Sequence, residues 1–177
     1  QAAPKRPSAM DYLKLPGQGS VNLQQEIDFA RETILKGVRE AAGPLATVTW
    51  HIGNHEYRLV RYLADTASEL ACLDCLRFDH LFGIEDLEIE MVFGGNFLAP
   101  KKARQKKEIE QNWRRYYDCY AVTHGTAIGV NPAADQIRRY GMSGTSGHTH
   151  RPNLLFVPTL ASPHANWMST GMLASYA

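Results

Sequence analysis

The sequence predicts an α/β chain in which a layered sheet carries flanking helices. Apolar residues recur at helical spacing after Asn22, and short β-branched or alternating runs follow them. Three of the strand-like runs end in turns that join glycine to histidine. With 44% hydrophobic and 21% charged residues over 177 positions, the balance is that of one ordinary globular domain. Residues 1–21 read as an irregular N-terminal segment and 22–177 as the domain.

Taken in order, Leu23, Ile27, Ala30, Ile34, Val38 and Ala41 fall three or four apart, on one helical face. Asn22 caps that helix, Gln25 completes a capping box, and Gly43-Pro44 ends it. ATVTWHI at 46–52 is β-branched and predicts a buried strand running into the loop GNHEY. A second helix is expected over RLVRYLADTA at 58–67. DLEIEMVF at 86–93 alternates as a strand, with Leu87, Ile89, Met91 and Phe93 on one face and the other face wet. The basic run KKARQKK at 101–107 is an exposed helix or a loop. DCYAVT at 118–123 predicts a core strand that ends at His124-Gly125. PAADQIRRYG reads as a helix begun by Pro132 and stopped by Gly141. MSGTS leads into GHTH at 147–150, and LLFV and NWMSTGML supply two last strands. No internal repeat is visible.

A net charge of +1 gives no global argument for nucleic acid or membrane partners, so any basic site is local. No apolar run is long enough for a membrane span, and no charged start leads into an apolar stretch, so the chain reads as cytoplasmic. Cys72, Cys75 and Cys119 are too sparse for a disulfide framework and read as reduced. CLDC has the spacing of a redox or zinc pair, but it lacks a second pair and lies in a leucine-rich, helix-like stretch, so core packing is the reading. The chain opens with Gln1, and its first ten residues have no periodic apolar pattern, so a fragment is the expectation.

The chemistry lies in the three turns GNHE, THG and GHTH, which bring separated histidines to one edge of a sheet. Imidazole nitrogens with an amide oxygen suit a borderline metal such as manganese, iron or zinc, and the lack of nearby thiolates argues against a structural zinc site. Glycine in each turn lets the backbone approach a metal or phosphate closely.

GNHEYRL at 53–59, VTHG at 122–125 and SGHTHRP at 146–152 together resemble, in order and character, the third, fourth and fifth motifs of the calcineurin-like metallophosphoesterases. Within that family the likeness is to the bacterial and phage branch related to nuclease-type phosphodiesterases. The likeness covers roughly residues 45–152. It implies a two-sheet sandwich with helices outside and two divalent ions, manganese, iron or zinc. Asn54, His124 and His148 would hold the second ion and His150 the first. His55 would act as the general acid on the leaving oxygen. The ions would clamp phosphate oxygens and lower the pKa of a bridging water. Arg151 stands where it would touch a substrate phosphate.

The first two family motifs are not found here. Aligning MDYLKL with the segment after the second motif puts Asp11 where the family keeps the carboxylate that orients its histidine, and Ser8 where it keeps the bridging aspartate. Only His150 then remains for the first ion, so one bound ion is an expectation beside two, and the sandwich is expected to be incomplete at its N-terminus.

The expected activity is hydrolysis of a phosphoester, a diester first, by metal-activated water. Of another class is a catalytically impaired fragment or relative that binds a partner, with Lys101, Lys102 and the rest of the 101–107 run contacting nucleic acid. The bland reading of that run is a solvated helix face. A third reading is one piece of a complete enzyme, self-associating through an exposed sheet edge. His51, His80 and His164 read as structural or exposed. Trp113, Tyr116, Tyr117 and Tyr120 read as packed under the basic run rather than as a base-stacking platform.

Overall fold

A computed structural model of the chain describes residues 22–93, 112–160 and 163–170. The expectations for residues 1–21, with Asp11, and for the basic run with Lys101 and Lys102 fall outside the described residues. The architecture is mixed α/β, with a two-stranded and a five-stranded sheet.

The first helix begins as the sequence predicts. Asn22 Oδ1 accepts the Gln25 N–H at 2.9 Å and Gln25 Oε1 accepts the Asn22 N–H at 3.3 Å, closing the capping box. The helix is α-helical over α1 (Leu23–Phe29) and α2 (Lys36–Ala42), with a π-helical stretch, Ala30–Leu35, between them. Gly43 ends it at φ 75°. The expected apolar face is not buried as a stripe. Ile27 is buried, while Leu23, Ile34 and Val38 are about half exposed. The π-helical stretch turns successive residues by a different angle, which breaks the spacing that would keep all six in line.

Strand β1 (Val48–His51) pairs in parallel with β2 (Ile89–Val92). Its residues are half-buried rather than buried, because among the described residues only β2 lies beside it. Helix α3 (Asn54–Thr66) and the short α4 (Phe78–Leu81) cover one face of this pair. Ile52, Tyr57 and Phe78 form the cluster there, with Trp50, Val60, Phe82 and Met91 against it. Trp50 meets Phe78 and Phe82 edge-on at centroid distances of 5.2 and 5.3 Å. Two expectations for 86–93 are corrected. The strand starts only at Ile89, since Glu88 takes φ 50° in the preceding turn. Val92, on the supposedly wet face, is buried and Phe93 is 41% exposed, because that face of β2 looks toward the second sheet.

The second sheet has the order β3 (Trp113–Tyr116), β4 (Tyr120–Thr123), β5 (Ser143–Ser146), β7 (Asn166–Ser169), β6 (Asn153–Phe156). β4–β5 and β5–β7 are parallel pairs and the outer two are antiparallel. Helix α5 (Pro132–Tyr140) is the right-sized crossover between β4 and β5, with Pro in its first turn and Gly141 at φ 68° as its left-handed stop. It packs Ala133 and Ile137 against Ala121, Ala165 and Trp167. Trp167 is fully buried and stacks on Tyr140 at 5.3 Å. Gly144 is required beneath that ring, where a Cβ would overlap Trp167 and the Ala121 carbonyl.

The opposite face of the sheet meets β1–β2 at its β3 end. Arg114 forms a two-pronged ion pair with Glu90, and Tyr116 Oη lies 3.0 Å from Thr49 Oγ1. Toward β6 the same face leaves Leu154, Phe156 and Met168 exposed. Two further readings are corrected. Cys72 and Cys75 are exposed rather than core-packed, because residues around Cys72 form turns and Asp74–Leu76 a single 3-10 turn, and all three cysteines are free. Tyr117 is 93% exposed at a left-handed turn position between β3 and β4, so the four aromatics do not pack as one cluster.

Candidate metal centre

Three loops meet at one end of the two sheets. The first follows β1. Gly53 is the N-cap of α3, Glu56 Oε2 accepts its N–H at 2.8 Å, and Asn54 and His55 form the first turn of the helix. The second follows β4 and holds His124, whose ring lies against Gly53. A Cβ on Gly53 would overlap that ring, so only glycine lets the two loops approach this closely. The third follows β5. His148 and His150 both take left-handed backbone conformations, φ 66° and 57°, and Gly147 N–H donates to the His124 carbonyl at 3.0 Å. Left-handed non-glycine residues cost on the order of 1–3 kcal/mol each and gather where a site needs their side chains aimed.

The result is a triangle of donor atoms. His124 Nε2 is 2.9 Å from Asn54 Oδ1 and 3.2 Å from His148 Nδ1, and His148 Nδ1 is 3.2 Å from Asn54 Oδ1. Each ring nitrogen carries either a proton or a lone pair, never both. If one ring donates to the amide oxygen, the other either opposes a proton with a proton or leaves a lone pair facing that oxygen. Turning the amide around leaves the two ring lone pairs opposed. Three contacts of this kind have no arrangement of protons that satisfies all of them, whereas a cation at their centre satisfies all three.

The donor set fits a divalent transition metal. Bonds of about 2.0–2.2 Å that meet near right angles separate neighbouring donors by about 3 Å. Among the described residues no three His, Cys, Asp or Glu side chains form a ready cage; the third donor here is an amide oxygen. Charge also favours the neutral imidazoles that metal binding needs. Burial lowers the His124 pKa to about 4, and the neighbouring His148, His55, His150 and His51 push the same way. His148 is lowered by burial, then by His150 and His55.

His55 and His150 are both exposed and lie side by side, ring centroids 6.1 Å apart. The structure thus brings Asn54, His55, His124, His148 and His150 to one place. Arg151 stands at its edge, where one guanidinium nitrogen donates to the Gly129 carbonyl at 3.2 Å and ties the loop after His124 to the GHTHR turn. His80 and His164 belong to other parts of the chain. His51, read as structural or exposed, is a partly buried residue of β1 beside the Arg114–Glu90 pair. Both ring nitrogens are buried without a hydrogen-bond partner among the described residues, and the pKa is lowered to about 4, first by burial and then by Arg114, against a raising effect of Glu90.

Sequence reasoning passed over Asn112 and Thr123. Asn112 is fully buried, and its amide donates to the Ile52 carbonyl, just before the Gly53 turn. Thr123 was visible only as the last residue before His124. Comparison of the chain with protein-family models, with curated proteins and with solved structures finds no match. Among the described residues no helix is long and apolar enough to cross a membrane.

Proposed function

We propose that this chain carries part of a calcineurin-like metallophosphoesterase centre and takes part in metal-dependent hydrolysis of a phosphodiester. The observation that carries the reading is the Asn54–His124–His148 triangle, whose three contacts a shared cation satisfies and protons do not. A bound divalent ion would supply charge stabilisation to phosphate oxygens and a water of lowered pKa.

The chain's own residues divide the remaining work. Asn54, His124 and His148 present lone pairs to one ion, and their burial keeps both rings neutral near pH 7. His150 is the donor left for a second ion. His55, exposed beside it on the first turn of α3, protonates the leaving oxygen. The N-terminal N–H groups of α3 favour an anion there, since a helix N-terminus carries partial positive charge. Arg151 spends one nitrogen on Gly129 and keeps others for a phosphate oxygen.

The test is to titrate the chain with Mn2+, measure bound metal, and assay hydrolysis of bis(p-nitrophenyl) phosphate. Bound metal with turnover supports the reading, and a folded chain that binds no metal overturns it. Metal without turnover would favour a relative that binds but does not hydrolyse. One feature supports that second reading: the triangle offers three donors to one ion, while His150 lies beside His55, ring centroids 6.1 Å apart, and is the one donor left for a second.

A further inference from the structure

The triangle joins elements of two different sheets. Asn54 follows β1 of the small sheet, whereas His124 and His148 follow β4 and β5 of the large one. Donor atoms set about 3 Å apart tolerate little error, because an ion pays for each misplaced ligand. Something must therefore fix the distance between the ends of β1 and β4.

We infer that Asn112 and Thr123 are positioning residues for the metal centre, a buried clamp that sets the Asn54 loop against the His124 loop. The inference rests on the metal site proposed above. The Asn112 side-chain amide donates to Ile52 O, two residues before Asn54. The Asn112 carbonyl accepts the Thr123 hydroxyl at 2.9 Å, and that hydroxyl oxygen in turn accepts the Gly125 N–H at 3.1 Å. One continuous hydrogen-bonded path thus runs from the residue before Gly53 to the two residues flanking His124. The third loop is tied to the same path through Gly147 N–H and the His124 carbonyl.

Two details favour positioning over ordinary core filling. Asn112 and Thr123 are both buried, yet neither belongs to an apolar cluster. Asn112 Oδ1 is also buried without a partner among the described residues. An apolar residue would fill the space without that desolvation cost, so the site uses the side chain for its N–H. The amide orientation is fixed by the same logic, since Oδ1 turned toward Ile52 O would set two acceptors together.

The experiment compares the native chain with Thr123→Val, Thr123→Ser, Asn112→Ala and the ligand control His148→Ala. The readouts are Mn2+ affinity by calorimetry and the visible absorption of the Co2+ form. Thr123→Val keeps shape and β-propensity but lacks the hydroxyl. It should bind Mn2+ roughly 10- to 100-fold more weakly, the usual penalty for lost outer-shell support, with an altered Co2+ spectrum and an unchanged far-UV dichroism. Thr123→Ser should restore both affinity and spectrum. Asn112→Ala should weaken binding likewise; if it does not fold, the Val and Ser pair decides. Native affinity and spectrum in Thr123→Val, or no restoration by Ser, overturns the clamp. If the native chain binds no metal, or His148→Ala binds as tightly as native, the metal site fails and the clamp with it. Loss in His148→Ala with no change in Thr123→Val removes the clamp alone.

Discussion

Two sets of histidines share one end of this molecule and differ in almost every physical respect. His124 and His148 are partly buried, share one donor triangle with Asn54, and hang on loops tied by backbone hydrogen bonds. His55 and His150 are exposed, with ring centroids 6.1 Å apart. Burial lowers the basicity of the inner pair, which suits groups that offer lone pairs. Exposure leaves the outer pair open to solvent and substrate, which suits groups that exchange protons or contact phosphate. In the function proposed above, the inner set would hold the ion and the outer one would deliver the proton.

Substitution separates the two roles. The largest effect is expected from His124→Ala, which removes one corner of the triangle. Bound Mn2+ should fall to background in elemental analysis and turnover should vanish with it; full metal content would break the division. His55→Ala should leave metal content at the native level and lower phosphodiesterase kcat by about 10²- to 10⁴-fold, the usual worth of a general acid. If His55→Ala lost its metal as well, the outer set would be a holding set too. Gly53→Ala is intermediate, because the new Cβ meets the His124 ring and the ring must shift. Metal affinity should drop by roughly 10-fold, and overpacking should cost about 1–3 kcal/mol in urea unfolding.

What the sequence made legible follows the range of the interactions. The Asn22 capping box, the Pro132 start and the Gly141 stop are local and were readable. So were the three histidine turns, because each follows a strand directly. The convergence of Asn54, His124 and His148 was an inference from their order, and the structure does bring them together. The π-helical stretch over Ala30–Leu35 was not readable, since the apolar residues there recur in the sequence at the same three-to-four spacing that marks an α-helix. The exposed cysteines misled because leucine-rich spacing around CLDC imitates a buried helix. Asn112 gave no signal at all, because its partner Ile52 is sixty residues away and nothing in the neighbourhood of either marks the contact. Strand alternation did offer a signal for His51. It puts His51 on the same face as Thr49, opposite Trp50, and Thr49 meets Tyr116 of the large sheet.

That position gives the smallest and most separable effect. His51 is enclosed between the sheets with both ring nitrogens buried and, among the described residues, unpartnered, near the Arg114–Glu90 pair. Its folded pKa is lowered to about 4, below the ordinary value of 6.5 expected when the chain unfolds. Between those values unfolding takes up a proton. The stability this residue permits is therefore present above pH 6.5 and is lost as pH falls toward 4. His124 and His148 shift in the same direction, so the native chain sums several such losses. His51→Leu removes one of them and takes no donor from the triangle, although it also removes the smallest of the contributions that lower His124. Urea midpoints measured near neutrality and at mildly acid pH should then draw closer together than in the native chain, though not coincide. Near neutrality the variant should gain on the order of 1 kcal/mol, since two unpartnered polar atoms leave the interior. Metal affinity should stay within a factor of about two, because His51 supplies no donor to the triangle. A native-like acid dependence in His51→Leu would mean that the inner pair alone sets the acid sensitivity. A large fall in metal affinity would instead place His51 among the groups that hold the centre, and the boundary between the two sets of histidines would have to be redrawn.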